Sequence, residues 1–358
     1  MKLLFAIGFL AACVQPLAAQ RPTTEADVRR LLYPLADDSM AGRLTGSPGE
    51  ARAARFIGAE MQRIGLKPLG DSGYFQRVPV AAVPLSTPSR SGRTERLVLL
   101  KSLADFDTVG AERRRPAVNV VGAIEGSDPA LKGEVVLVDA HFDHLGVGRA
   151  INGDSIYNGA DDDASGVTAV LEIARQLSSG PPPKRTILFV ATTGEEVGLF
   201  GTRWFIDHPP VPLSQFVANL EIEMIGRPDS LAGGSGKAWL TGYERSNMGD
   251  ALAKAGLPIV PDRRPDQHFF ERSDNIAFAR RGIVAHTLSS YNLHADYHQP
   301  SDDVKGVDFE HMTAVINAAA AATRLLADGP TLEWKPGGAP VAPAPRPAGA
   351  PAPRPPRS

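Results

Sequence analysis

The stretch N-G-A-D-D-D-A-S-G-V-T-A-V-L-E-I-A-R-Q-L, Asn158 to Leu177, sets three consecutive carboxylates at the mouth of a helical pattern. Asp is a good N-cap, so a solvated turn that starts a helix explains the cluster by itself. The other reading is that cations neutralise it, and the rest of the chain decides between them. Outward on either side lie two apolar runs bounded by turn signals, at 134–140 and 186–192. Strand, helix, strand is the βαβ unit of a parallel sheet.

The same alternation continues along the chain. Strands are expected at 74–80, 96–100, 119–124, 134–140, 186–192, 216–222 and 284–288. Helices are expected at 24–37, 50–64, 166–178, 197–207, 246–255 and 309–327. The 24–37 segment carries Val28, Leu31, Leu32 and Leu35 on one stripe, and Gly65 stands where a helix C-terminal glycine belongs. These elements predict an α/β domain, a three-layer α/β/α sandwich with a mostly parallel, mixed central sheet. Sites in such folds form in the crevice at the carboxyl ends of the strands.

Composition bounds the function. A hydrophobic content of 43% supports a sizeable core, and a net charge of −2 leaves no electrostatic footprint for nucleic acid. Residues 1–20 read as a signal peptide of an exported protein, periplasmic or secreted. The apolar run from Leu3 to Val14 is shorter than the ~20 residues that span a bilayer, so no integral membrane span is expected. L-A-A-C at Leu10 to Cys13 also fits a lipobox, which makes a lipid anchor at Cys13 the alternative. Cys13 is the only cysteine, so a metal site in the mature chain must be built from His, Asp and Glu. Residues 21–330 are expected to form one domain, and 336–358, rich in Pro and Ala, an extended tail.

Polar clusters follow nearly every core strand. E-V-V-L-V-D-A runs into H-F-D-H-L, where His141 and Asp143 have the spacing of an imidazole and the carboxylate that orients it. The triple-aspartate turn comes next, then G-E-E-V-G with Glu195 and Glu196, adjacent residues that cannot easily do one job. The strand F-V-A-N-L-E-I-E-M-I-G holds Glu221 and Glu223, which are costly in an apolar strand unless paired or ligated. D-Y-H-Q-P-S-D-D places His298 before the last helix. Each cluster alone suits an ordinary turn or helix cap. Together they make a sulfur-free His/carboxylate set, the ligand chemistry of hydrolytic zinc.

Four segments, V-D-A-H-F-D-H, N-G-A-D-D-D-A-S-G-V, T-G-E-E-V-G-L-F-G and D-Y-H-Q-P-S-D-D, resemble in order and spacing the di-zinc exopeptidase family of secreted leucyl-type aminopeptidases, glutamate carboxypeptidase II and glutaminyl cyclase. The resemblance runs from about Thr24 to Leu326. It implies two Zn²⁺ per chain, with His141 on one zinc, Asp162 bridging, and Glu196 and His298 on the second. It makes Glu195 the general base and Asp143 the residue that orients His141. Glu223 stands where many relatives carry the aspartate that completes the first site, and its extra methylene is a departure from the family pattern. Asp161 and Asp163 are expected to cap the helix or hold backbone amides, and Glu221 to be structural.

For the pocket, the segment H-F-F-E-R-S-D-N suggests a wall containing Phe270, Ser273 and Asp274, with Phe269 or Phe278 as further apolar contacts and Tyr291 near the reaction centre. The expected partner is a peptide substrate, cleaved at its N-terminus. A glutaminyl cyclase-like acyltransferase with one zinc, a carboxypeptidase, and a binding protein with a dead site are the rivals. A carboxypeptidase would need a cationic pocket, and Arg272 and Arg280 are the candidate cations.

Overall fold

The computed structural model describes residues 21–87 and 94–341. The expected signal peptide, Cys13 and residues 342–358 of the tail lie outside the described residues. The strands in chain order are β1 (Lys67–Pro68), β2 (Phe75–Pro84), β3 (Glu95–Leu99), β4 (Arg114–Ile124), β5 (Val135–His141), β6 (Gly146–Ile151), β7 (Asp154–Tyr157), β8 (Thr186–Thr192), β9 (Phe216–Ile222), β10 (Ala238–Leu240), β11 (Ile259–Pro261) and β12 (Val284–Ser289). The helices are α1 (Glu25–Leu35), α2 (Pro48–Ile64), α3 (Leu103–Thr108), α4 (Gly166–Ser178), α5 (Phe200–Asp207), α6 (Met248–Lys254), α7 (Asn275–Ala279) and α8 (Phe309–Asp328).

One sheet has the order β11-β10-β12-β9-β5-β8-β4-β2-β3, with β1 beside β4. Its centre, β12-β9-β5-β8, is parallel, whereas β4, β2 and β3 continue it antiparallel on one side. β5, the middle strand, is buried along its whole length. Helices cover both faces of a parallel sheet, so a near-continuous apolar run, here broken only by Asp139 before the strand ends on His141, suits such a position. On one face α1, α2, α4 and α8 pack a core that includes Leu31, Ile57, Val170 and Ile316; on the other, Phe205, Phe278 and Ile276 cover Leu137, Leu188 and Ala285. The three-layer expectation holds. Among the described residues no helix is long and apolar enough to cross a membrane.

Helix ends follow the sequence signals. Thr24 and Asp27 close a capping box on α1, and Gly65 ends α2 at φ 85°, in the left-handed region glycine favours. Three expectations need correction. β4 begins at Arg114 because Pro116 lies on a strand paired with β2, opposite Pro79, where neither proline has an amide to lose. The β6–β7 hairpin was not anticipated, since its G-V-G-R-A-I strand is largely exposed and carries no apolar alternation. The domain also runs past residue 330: Trp334 packs on Phe270 and His286, and Gly338 is tied to Arg245, so the tail cannot start at 336.

Candidate active site

Because β5, β8 and β9 are parallel neighbours, their carboxyl ends open at one edge of the sheet. β5 ends on His141 itself, β8 stops at Thr192 just before Glu195 and Glu196, and β9 stops at Ile222 just before Glu223. Asp162 comes from the irregular turn that leads into α4, and His298 from the loop after β12, at φ 58°. Six side chains from five segments distant in sequence therefore meet.

Asp162 is the centre of that meeting. Its Oδ1 lies 3.2 Å from Nε2 of His141, and its Oδ2 lies 3.2 Å from Nε2 of His298. Glu196 Oε2 is 3.3 Å from the same His298 nitrogen, and Glu196 Oε1 is 2.7 Å from Nδ1 of His144. Two donor sets result, His141–Asp162–Glu223 and His144–Asp162–Glu196, and within each set the ligand atoms lie within 4.8 Å of one another. They share Asp162. Apart from that approach of Asp162, the buried His141 Nε2 has no hydrogen-bond partner among the described residues. Its Nδ1 lies 3.1 Å from the carbonyl of Asp143 and donates to it, which leaves the Nε2 lone pair aimed inward. An orphaned imidazole nitrogen among buried carboxylates fits a divalent cation with a preference for nitrogen and oxygen ligands.

The electrostatics agree. Burial alone would raise Asp162, yet His141 and His298 hold it well below the usual carboxylate range. Burial and Asp162 would likewise raise Glu196, but His144 and His298 bring it down to about 2. Burial pushes Glu195 well above the ordinary glutamate value; His141 opposes the shift, and Glu196 and Glu223 add to it. Glu223 rises to about 8, through burial and then the charge of Glu221. Desolvation opposes protonation of His298, but Asp162 and Glu196 raise it to about 10. Neighbouring carboxylates with proton affinities driven this far apart mark a functional site, and bound cations would relieve the crowding.

The surrounding residues hold these groups in place. The Asp143 carboxylate does not reach the His141 ring closely, at 3.8 Å; it accepts instead from the amide of Glu195 (3.1 Å) and the hydroxyl of Thr45 (2.9 Å). Asp143 thus orients His141 through its carbonyl and positions Glu195 through its side chain. Asp163 accepts from the amides of Gly166 and Met224, both at 3.0 Å, so it caps α4 and holds the chain just after Glu223. Asp161 accepts from Gly226 N–H at 2.6 Å and faces His294 Nε2 at 3.0 Å. Both flanking aspartates hold backbone amides, as expected. Asp302 in turn receives the amides of Asp161 and Asp162.

A cavity containing about 470 Å³ of empty space, partly open to solvent, adjoins the cluster. Asp162, Glu195, Glu223 and His298 form one side, and Tyr291, Phe269, Trp239, Met224 and Arg272 lie among its other walls. Tyr291 thus lines this cavity. Phe270, Ser273 and Asp274 are not among its walls. Phe270 is packed in the core against His286 and Trp334; Ser273 and the Asp274 amide bond to Glu221, and the Asp274 carboxylate accepts from Thr192. Phe278 is core as well. The S-D-N segment faces the sheet because the buried Glu221 carboxylate also accepts from the Asn275 amide and the Thr287 hydroxyl. Glu221 is structural, as expected.

Three residues of the site were not legible in advance. His144 was visible in H-F-D-H-L, but a histidine three after a strand end has no fixed direction. Arg43 is fully buried and donates to the carbonyls of Leu35, Phe142, Asn158 and Gly159, and no local pattern announces it. Trp239 enters from β10, a three-residue strand too short to read.

The zinc aminopeptidase BSAP of Bacillus subtilis superposes with a TM-score of 0.58 at 16% identity, covering 85% of this chain and 94% of that one. Porphyromonas gingivalis glutaminyl cyclase superposes with a TM-score of 0.54 at 14% identity, covering 84% and 97%. At these identities the likeness is one of fold. By sequence, a vacuolar membrane protease of Botryotinia fuckeliana is 27% identical over 225 residues, which is 62% of this chain and 19% of the relative. The chain thus spans about a fifth of the length of the curated relatives it matches. The model of peptidase family M28 matches residues 119–323, which is more than half of the 358-residue chain and covers His141, Asp162, Glu195, Glu196, Glu223 and His298, and this chain belongs to that family.

Proposed function

We propose that this protein is an exported zinc aminopeptidase that removes N-terminal residues from peptides, with Glu195 as general base. The observation that carries the reading is the shared position of Asp162 between two donor sets beside a half-buried, proton-avid Glu195. His141, Asp162 and Glu223 would hold one zinc ion; Asp162, Glu196 and His298, with His144 against them, would hold a second. Two zinc ions there would supply Lewis acidity toward the scissile carbonyl and lower the pKa of water. Glu195 takes the proton from the attacking water and returns it to the leaving amine, which departs only when protonated. The Asp143 carboxylate holds the Glu195 backbone for that task. Tyr291 and Phe269 bound the space in which the substrate residue lies. Export rests on the character of residues 1–20.

The glutaminyl cyclase-like reading draws on the fold likeness, but two donor sets and two facing histidines favour a pair of cations over one. The test is hydrolysis of aminoacyl-p-nitroanilides against N-blocked peptides, with and without chelator, together with zinc counting. Cleavage that requires a free N-terminus, stops with chelator and accompanies two zinc per chain is expected. Cleavage of blocked peptides alone would remove the aminopeptidase assignment.

A further inference from the structure

Arg272 faces the same cavity as Glu195 and Glu223, and its charge is not consumed by the protein. Two other arginines of this region are: Arg264 makes a two-pronged ion pair with Asp229, and Arg227 pairs with Asp296 at 2.6 Å. The contact made by the Arg272 guanidinium is with the ring of Phe269, 5.1 Å from its centroid, and among the described residues no carboxylate pairs with it. It is half-buried and seated at the end of the turn Phe269–Glu271, where its amide bonds to the Phe269 carbonyl at 3.1 Å. Its field reaches the cavity wall: burial lifts the Tyr291 hydroxyl to about 12, and Arg272 works against that shift.

A partly desolvated guanidinium without an anion is unfavourable, and the cations proposed for the donor sets would also repel it. A carboxylate on the ligand removes both costs, and the planar fork of arginine is built for that group. The aromatic wall of Trp239, Phe269 and Tyr291 with Met224 gives the hydrocarbon part of the same ligand a surface to lie on.

We infer that Arg272 anchors a carboxylate of the substrate, so that the cavity selects peptides bearing a negative charge next to the scissile bond. The inference rests on the peptidase reading and names its substrate class. The carboxylate has two sources: an Asp or Glu side chain on the residue before the scissile bond, or the free α-carboxylate of the residue after it.

The experiment compares the zinc-loaded full chain with Arg272→Met and Arg272→Lys. One arm is the ratio of kcat/KM for glutamyl- over leucyl-p-nitroanilide; the other is the ratio for the dipeptide Leu-Gly over Leu-Gly-amide. Loss of a charge-assisted bond predicts that Arg272→Met lowers one of these ratios about ten- to hundredfold, with Arg272→Lys restoring part of it. A fall in the first ratio identifies the side chain, and a fall in the second the terminal carboxylate. Ratios that stay level in both arms overturn the inference and leave Arg272 as a cover for Phe269. Binding of glutarate to the same proteins by calorimetry is read in parallel, and about tenfold weaker binding to Arg272→Met is expected. If no substrate is hydrolysed, the peptidase reading fails, and this binding difference still decides the role of Arg272: equal affinities overturn it.

Discussion

Nδ1 of His144 stands 2.7 Å from Oε1 of Glu196, in a position where the histidine sets the direction of the carboxylate. The other carboxylate oxygen is thereby turned to His298, 3.3 Å away. His144 is itself confined: its amide donates to the Arg43 carbonyl, and its ring lies against Gly159. Gly159 has a φ of 56°, and a Cβ there would come within 2.6 Å of the His144 ring and 2.1 Å of the Asp162 carbonyl. Only glycine permits that approach.

The relationship predicts a selective metal defect. His144→Ala removes the restraint on Glu196, and loss of such an orienting partner costs about 10- to 100-fold in metal affinity. Zinc should leave the Glu196–His298 side first when a chelator is titrated in, with the His141 side retained. Unchanged affinity for both ions would show that His144 serves only packing.

Glu195→Gln separates the base from the ligands. The amide keeps the shape and can still lie beside the Asp143-bound turn, but it cannot take a proton. Turnover should fall by about 10²- to 10⁴-fold while zinc content stays near that of the unaltered protein. Retained turnover would exclude Glu195 as the base.

Arg43 predicts a stability effect through a guanidinium that bonds to backbone carbonyls rather than to the donor sets. Its guanidinium joins the end of α1, the residue after β5, and the loop that delivers Asp162. Arg43→Met leaves several buried carbonyls without a donor, each worth about 1–3 kcal/mol. A loss of roughly 3 kcal/mol or more is expected in denaturant unfolding. A change below about 1 kcal/mol would mean that water replaces the guanidinium.

His286 gives the pH dependence a direction. Its Nδ1 donates to the Thr241 carbonyl at 2.7 Å, and its Nε2 is 2.7 Å from the Ser246 hydroxyl. Burial lowers its pKa from 6.5 to about 4, with the Thr241 bond opposing. The unfolded chain therefore binds a proton that the folded chain refuses between these values. Stability is full above about pH 6.5 and is lost as the pH falls toward 4, by roughly 3 kcal/mol. His286→Gln should flatten that part of a melting-temperature profile, measured against the unaltered protein; a variant with the same slope would assign the loss to other groups.

Much of this molecule could be read in one dimension. Amphipathic repeats located α1, α2 and α8 because each must bury one face, an apolar helical run located α4, which is buried nearly all round, and apolar runs located β5, β8 and β9 because they are covered on both faces. The polar residues just past those strands were visible for the same reason: nothing else interrupts the pattern so abruptly. Phe270, Ser273 and Asp274 were misplaced because direction within a loop is set by its partners, here Glu221 and Trp334.

The order of residues alone therefore determined the layers of the fold and the chemical character of its site, since burial period and ligand type are local properties. Tertiary structure alone decided that Asp162 lies between two donor sets, that Arg43 braces the loop beneath it, and that Arg272 rather than Arg280 faces the cavity. Those relations depend on distances between segments up to more than a hundred residues apart, which only the packing of strands and helices against one another fixes.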